Sequence, residues 1–209
     1  MGAAPVAVTG AVEGLVDEAV FRRLVKAVGA IPGQVYGKRG KAHLLQALTG
    51  YNKAARFSPW LVIVDLDDDE DCAPPLREKH LAKPESRMCF RVAVREIEAW
   101  LLADPERLSR LLEVEKSWLP ANPDGEKDPK KVVVDLARKS RSGEIRRDLV
   151  PRAGSGRVEG PAYTSRLVEF VSDARRGWRP LVAARRSDSL YRCFKCLNRI
   201  AKASRGRKR

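Results

Sequence analysis

The sequence predicts an α/β fold: a mostly parallel sheet with flanking helices, followed by a helical C-terminal portion. Three observations carry that expectation. Short β-branched apolar runs alternate with segments of helical periodicity through about residue 103. Two of those runs end in carboxylates, where α/β sheets carry their sites. Beyond Pro105 the strand-like runs stop and only helical patterns remain. Alternating strand and helix implies parallel pairing through right-handed crossovers.

Val6 to Val12 is β-branched and reads as a buried strand. Val16, Ala19, Val20, Leu24, Val25 and Val28 then recur at helical spacing. Gln34 to Tyr36, between Gly33 and Gly37, suits a short strand. Lys41 to Arg56 places Leu44, Leu45 and Leu48 on one helical face. Trp60 to Leu66 is a clear strand, and Asp67 to Pro75 reads as an acidic loop closed by Pro74-Pro75. Met88 to Val94 is the next strand, and Glu96 to Ala103 begins a helix. Pro105 to Val114, Pro129 to Lys139, Ala162 to Arg176 and Ser187 to Ala203 are helical candidates, separated by turn-rich stretches at 119–129 and 153–160. The organisation expected is an α/β core over 1–104, a helical part over 105–203 packed on it, and a basic, disordered tail over 204–209.

The net charge is +14 and the isoelectric point near 10.0, which favours a polyanionic partner, nucleic acid or an acidic membrane surface. The same charge serves solubility alone in many proteins. No apolar run approaches a bilayer span, so no membrane partner is expected and a cytoplasmic location is. The apolar N-terminus lacks a basic stretch before it, and Gly2 is followed by Val6 where a myristoylation signal wants Ser or Thr. Four scattered cysteines read as reduced thiols rather than a disulfide scaffold. Cys193 and Cys196, three apart on a helix, read as a packed pair; a structural zinc would want four ligands.

The chemistry-bearing residues are acidic. Glu13 closes the first strand in V-E-G, and Asp17 follows one helical turn later. Asp65 and Asp67 form D-L-D at the end of the W-L-V-I-V strand, where strand alternation would point both to one face. Glu96 and Glu98 follow the next strand, and cannot share a face once a helix has begun. Asp69, Glu70 and Asp71 read as a solvated loop. Crowded carboxylates repel, and a hard divalent cation removes that cost; Mg²⁺ needs only one or two carboxylates beside waters and phosphates. Mg²⁺ or Mn²⁺ is therefore the cofactor expected, with Glu13, Asp65 and Asp67 catalytic and Asp17 and Glu98 completing the metal set.

Glu13-Gly14 after a first strand, with Asp65-Leu66-Asp67 after a later one, resembles the TOPRIM fold of topoisomerases, primases and OLD-family nucleases. The E-x-x-x-D form, Glu13 to Asp17, is more similar to the nuclease branch, and the segment 95–104 (REIEAWLLAD) resembles a TOPRIM-like bacterial family often encoded beside ATPases, in settings suggestive of phage defence. The resemblance implies a metal-dependent nuclease, an additional acid at Glu96 or Glu98, and an ATPase as a possible partner. Topoisomerases carry a Gly soon after D-x-D; the acidic loop here departs from that, and none of Tyr36, Tyr51, Tyr163 and Tyr191 stands in an evident catalytic context. The alternative is a non-catalytic nucleic-acid-binding or regulatory subunit of an ATPase complex. A haloacid-dehalogenase-type phosphotransferase ranks lower, because Asp69 stands where D-x-D-x-[TV] wants Thr or Val.

Lys38, Arg39 and Lys41, in G-K-R-G-K, lack P-loop spacing and suit contact with a nucleic-acid backbone. Arg138, Lys139, Arg141, Arg146, Arg147 and Arg152 form one basic stretch, with Arg146 and Arg147 the nucleic-acid-binding pair expected there. Arg175, Arg176, Arg179, Arg185 and Arg186 form another.

Overall fold

The computed structural model describes residues 5–205. Gly2 and the last four residues of the basic tail lie outside them.

β1 (Ala7–Val12), β2 (Ile31–Gly37), β3 (Trp60–Asp65) and β4 (Met88–Ala93) form one four-stranded sheet in the order β2-β1-β3-β4. Every pairing is parallel, as expected. The connections are α1 (Leu15–Ala27), α2 (Lys41–Ala54) and α3 (Ala73–Leu81). The chain steps outward from β1 to β2, returns across β1 to β3, and continues outward to β4. The winding therefore reverses between β1 and β3, which opens a crevice at the carboxyl ends of those two strands.

Strand alternation sorts the side chains onto two faces. Val8, Val12, Leu61, Ile63, Cys89 and Ala93 pack with Val20, Phe21 and Leu24 of α1. Ala11, Val62, Val64, Phe90 and Val92 pack with Leu44 and Leu48 of α2 and Leu76 of α3. Gly37 is required where β2 leaves β1: its φ is +85°, and a Cβ there would sit 2.2 Å from the Val12 carbonyl oxygen.

The second half is helical: α4 (Ile97–Leu102), α5 (Pro105–Leu112), α6 (Pro129–Arg138), α7 (Gly143–Leu149), α8 (Tyr163–Ser172), α9 (Pro180–Ala183) and α10 (Asp188–Arg205). Two of these start with Asp-Pro: Asp104 caps α5 and Asp128 caps α6 through their carboxylates, and the following proline fits a position whose N–H has no helical partner. Leu108, Val133, Leu149, Leu167, Leu190 and Leu197 belong to the same buried cluster as Val8, Phe21 and Leu61. The helical part thus shares one core with the α1 face of the sheet. Trp100 and Trp178 stitch it together: Trp100 Nε1 donates to Ser189 Oγ at 2.7 Å, and Trp178 Nε1 donates to the Trp100 carbonyl at 2.9 Å.

Several expectations need correction. The stretch read as a loop through Pro75 ends earlier, because α3 begins at Ala73 with both prolines in its first turn, where proline is tolerated. The helices α7 and α9, of seven and four residues, are too short to give a periodic signal. Ser204 and Arg205, assigned to a disordered tail, continue α10. Cys196 does not pair with Cys193; it forms a disulfide with Cys89 of β4, the two Cα atoms 5.8 Å apart, while Cys193 stays a buried free thiol and Cys72 an exposed one. Neighbours across a packed helix–strand contact are invisible in local spacing. Among the described residues no helix is long and apolar enough to cross a membrane.

Candidate functional site

The crevice between β1 and β3 holds the acids. The Glu13 carboxylate accepts a hydrogen bond from the Asp65 backbone amide at 2.8 Å, tying the two strand ends together. Asp17 sits in the first turn of α1, and a Cβ on Gly14 would stand 3.2 Å from its Oδ2, so the glycine of V-E-G gives that carboxylate its room. Asp65 continues the alternation of Leu61 and Ile63 and so turns toward the α1 face. Glu98, in the first turn of α4, is buried there too, and its carboxylate accepts a hydrogen bond from the Tyr163 hydroxyl at 3.1 Å.

Burial raises each of these carboxyls, and their charges act on one another. Burial pushes the Asp65 carboxyl well above the usual carboxylate range, and Asp17, Glu98, Glu13 and Asp67 each push it further. Glu13 is pushed up to about 7, by burial first and then by Asp17 and Asp67, against the lowering hydrogen bond from Asp65. Glu98 is pushed up to about 7 by burial, with Glu96 and Asp17 adding to it. Asp17 is raised by burial as well. Buried like charges of this kind favour protonation or a bound cation.

Asp67 does not share the face of Asp65. β3 ends at Asp65, and Asp67 follows in a left-handed turn with φ 50°, which breaks the alternation on which the sequence expectation rested. Its half-exposed carboxylate is held by Lys41 Nζ at 3.0 Å. Lys41 also holds Asp69 at 2.6 Å and donates to the Leu66 carbonyl at 3.1 Å. Lys41, expected to grip nucleic acid, is therefore spent on fixing the acidic loop. Arg95 assists by donating to the carbonyls of Asp67 at 2.8 Å and Glu70 at 3.0 Å. Asp68, Asp69 and Asp71 are exposed, as a solvated loop requires. Glu96 caps α6, its carboxylate accepting the Lys130 amide at 2.8 Å, so of the two candidate glutamates it is Glu98 that faces the centre.

Sequence reasoning missed Lys130 and Tyr163. Burial alone would lower the Lys130 ammonium, but Glu98, Glu159, Glu96 and Asp65 around it outweigh that and raise it. A local signal existed: Lys130 and Lys131 occupy the first turn of a helix, where the macrodipole favours acids. Tyr163 is buried against Glu98, and nothing in its local sequence marks it.

A cleft of about 480 Å³ lies beside this centre, bordered by Asp67, Glu96 and Lys130 but not by Glu13, Asp17, Asp65 or Glu98. Its lining mixes Asp67, Asp68, Glu96, Asp128 and Asp135 with Arg95, Lys127, Lys130, Lys131, Arg138 and Arg157. Arg138 and Pro151 also border a smaller hollow of about 310 Å³ with Arg146, Arg147 and Arg152. Arg146 and Arg147 are exposed, Arg146 donating to the Ser140 carbonyl and Arg147 to Asp148 at 3.2 Å. Lys38 is exposed and paired with Glu18 at 3.0 Å, while Arg39 is exposed with no ion pair among the described residues. Arg179 leaves the basic surface: it grips Asp104 at 2.7 Å and Glu106 at 2.8 Å.

Whether the acids suit a metal is tested by their free oxygens. Asp17 Oδ1 and Asp65 Oδ1 are buried and have no hydrogen-bond partner. Leaving such an oxygen unsatisfied is costly, and a divalent cation satisfies two of them at once. Among the described residues no three His, Cys, Asp or Glu side chains stand close enough to form a ready cage. The donor set fits an ion that keeps several waters, as Mg²⁺ does. Comparison with family models, curated proteins and solved structures finds no match to this chain.

Proposed function

We propose that the protein is a nucleic-acid phosphodiesterase of TOPRIM type that depends on Mg²⁺ or Mn²⁺. The observation that carries this reading is the placement of Glu13, Asp17 and Asp65 at the sheet's switch point, with Asp17 Oδ1 and Asp65 Oδ1 buried and unpartnered, beside a cleft that Lys127, Lys130, Lys131, Arg138 and Arg157 help to line.

Asp65 and Asp17, with Glu13 beside them, would hold the ion through their unpartnered oxygens. Bound there, it would activate water and neutralise the charge developing on a phosphodiester. Glu13 is fixed by the Asp65 amide, so its outer oxygen keeps one position. Glu13 and Glu98, both pushed up to about 7, can accept or release a proton near neutral pH. Lys130 carries its charge beside Glu98 and Asp65 at the cleft wall, where an incoming phosphate meets it. Lys127, Lys131, Arg138 and Arg157 extend that wall along a path a phosphate backbone can follow without base contacts. The proposed setting, phage defence or DNA processing beside an ATPase partner in the cytoplasm, rests on the resemblance alone.

The test is incubation with labelled single- and double-stranded DNA and RNA, in Mn²⁺, Mg²⁺ or chelator. Cleavage is expected with metal, lost with chelator, and lost in Asp65→Asn and Glu13→Gln. Cleavage that survives chelation would sink the reading. Metal-indifferent binding without cleavage would replace it with a nucleic-acid-binding subunit.

A further inference from the structure

α10 packs Leu190, Cys193 and Leu197 into the core and turns another face outward. Asp188, Tyr191, Lys195 and Asn198 follow one another on that face at three- and four-residue steps. With Leu181 of α9, Arg185 of the turn after it and Asn122 of the loop before Pro123, they line a hollow of about 800 Å³. The hollow shares no lining residue with the cleft beside the acids. Its walls are pinned in place. Arg186 donates to the carbonyls of Pro120 and Ala121, each at 3.1 Å, and the Asp124 carboxylate accepts the Ser189 amide at 3.0 Å.

Other groups in the hollow have no partner. Tyr191 is 50% exposed and Leu181 60%, so two large apolar side chains meet water in one concavity. The Asn122 and Asn198 amides have no hydrogen-bond partner among the described residues. Neither Arg185 nor Lys195 has an ion pair there, and Lys195 Nζ rests 5.8 Å from the centre of the Tyr191 ring. The two acids of the lining are already engaged, Asp188 by Arg192 at 2.6 Å and Asp124 by the Ser189 amide. A ligand that uses these groups has a planar face, hydrogen-bonding edges and negative charge. A nucleotide has all three: bases stack on aromatic rings, asparagine amides bond base edges, and cations take phosphate. Small-ligand sites run from about 300 to 1,000 Å³, which suits one nucleotide. We propose that this hollow is a nucleotide-binding site, with a base stacked on Tyr191 and its phosphate held by Arg185 and Lys195. An apolar peptide side chain would use Tyr191 and Leu181 but leave both cations idle. The nucleotide can be free or one unit of a single strand, and the chemistry is the same. The inference does not depend on the phosphodiesterase reading.

The experiment is calorimetric titration of the full chain in chelator, at constant ionic strength, with AMP, adenosine, ribose 5-phosphate and a single-stranded oligoadenylate. AMP should bind about tenfold or more tighter than adenosine or ribose 5-phosphate, since each lacks one half of what the site recognises. Tyr191→Ala should weaken AMP by about 5- to 150-fold, the magnitude of one stacked base, while Tyr191→Phe keeps the ring and should stay within about threefold of wild type. Arg185→Gln should erase most of the advantage of AMP over adenosine. The oligoadenylate identifies the source: a matching loss in Tyr191→Ala means a base within a strand, and indifference to that substitution means a free mononucleotide. The proposal is overturned if neither AMP nor the oligoadenylate binds, if Tyr191→Ala binds both as wild type does, or if ribose 5-phosphate binds as tightly as AMP.

Discussion

The Asp65 backbone amide and the Glu13 carboxylate, 52 residues apart, meet at 2.8 Å. That bond makes the ends of β1 and β3 a single rigid corner. The remaining acids arrive from α1 and α4, on the side toward which Asp65 turns, so repulsion centres on Asp65.

Removing that repulsion should stabilise the metal-free protein. Asp65→Asn should melt at or above wild type in chelator, although most substitutions destabilise. Mn²⁺ at about ten times its Kd should raise the wild type by about 3–6 °C, and the variant by much less. Asp67→Asn removes one partly exposed pair with Lys41 along with some repulsion on Asp65 and Glu13, and should change stability by about 1 kcal/mol or less. Differential scanning calorimetry of the three proteins, with and without metal, checks this. Equal metal gain in wild type and Asp65→Asn would remove Asp65 from the site.

The same burial sets a pH dependence. Glu13 and Glu98 are raised from 4.5 to about 7 in the folded protein. Their contribution is fully present below pH ~4.5 and is lost as pH rises through about 7. Metal-free protein should therefore lose stability between pH 5 and pH 8, by an amount on the order of a few kcal/mol. Saturating Mn²⁺ should flatten that fall. Urea unfolding midpoints across the range give the measurement, and a metal-free midpoint that climbs with pH would contradict the convergence of the acids.

Tyr163→Phe should remove one donor from Glu98 and little else, since the ring stays buried. The cost should be about 1–2 kcal/mol at pH 8, where Glu98 is charged, and smaller at pH 5.5. An equal cost at both pH values would mean that the hydroxyl serves only packing.

Thiol labelling tests the pairing of β4 with α10. Denatured, non-reduced protein should take up alkylating reagent at Cys72 and Cys193 only, and at all four cysteines after reduction. Under native conditions Cys72 should react and the buried Cys193 should not. Fast native labelling of Cys196 would show that the disulfide is absent.

Nucleic-acid affinity should fall steeply with salt, with a log–log slope of magnitude about 4 or more, because the cleft wall alone offers Lys127, Lys130, Lys131, Arg138 and Arg157. Arg138→Gln should lower the slope by about 1. Arg179→Gln should not lower it; that residue instead holds Asp104 and Glu106, and its loss should destabilise the fold.

The sequence made the corner of the site legible because strand ends are local. A β-branched run that stops at a carboxylate places Glu13 and Asp65 at carboxyl ends of strands, and parallel topology brings such ends together. It did not reveal that Asp67 leaves the strand face, since a single residue at φ 50° has no periodic signature. Tyr163 meets Glu98 across 65 residues, and Lys130 reaches the centre through a helix start 34 residues beyond Glu96. Contacts of that range are set by helix packing, not by spacing. The basic residues were legible as a sum and misleading one by one: Lys41 and Arg179 hold carboxylates within the fold, whereas the lysines of α6 line the cleft.

The core that α10 shares with the sheet has a consequence for synthesis. A nascent chain that has extruded only as far as β4 possesses Glu13, Asp17, Asp65 and Asp67, but the α1 face of its sheet lacks Leu167, Leu190 and Leu197. Lys130 and Tyr163 are likewise still inside the ribosome or not yet made. Until α6 and α8 emerge, Glu98 lacks both the Lys130 ammonium and the Tyr163 hydroxyl. Helices made later in synthesis thereby complete the surroundings of carboxylates made earlier.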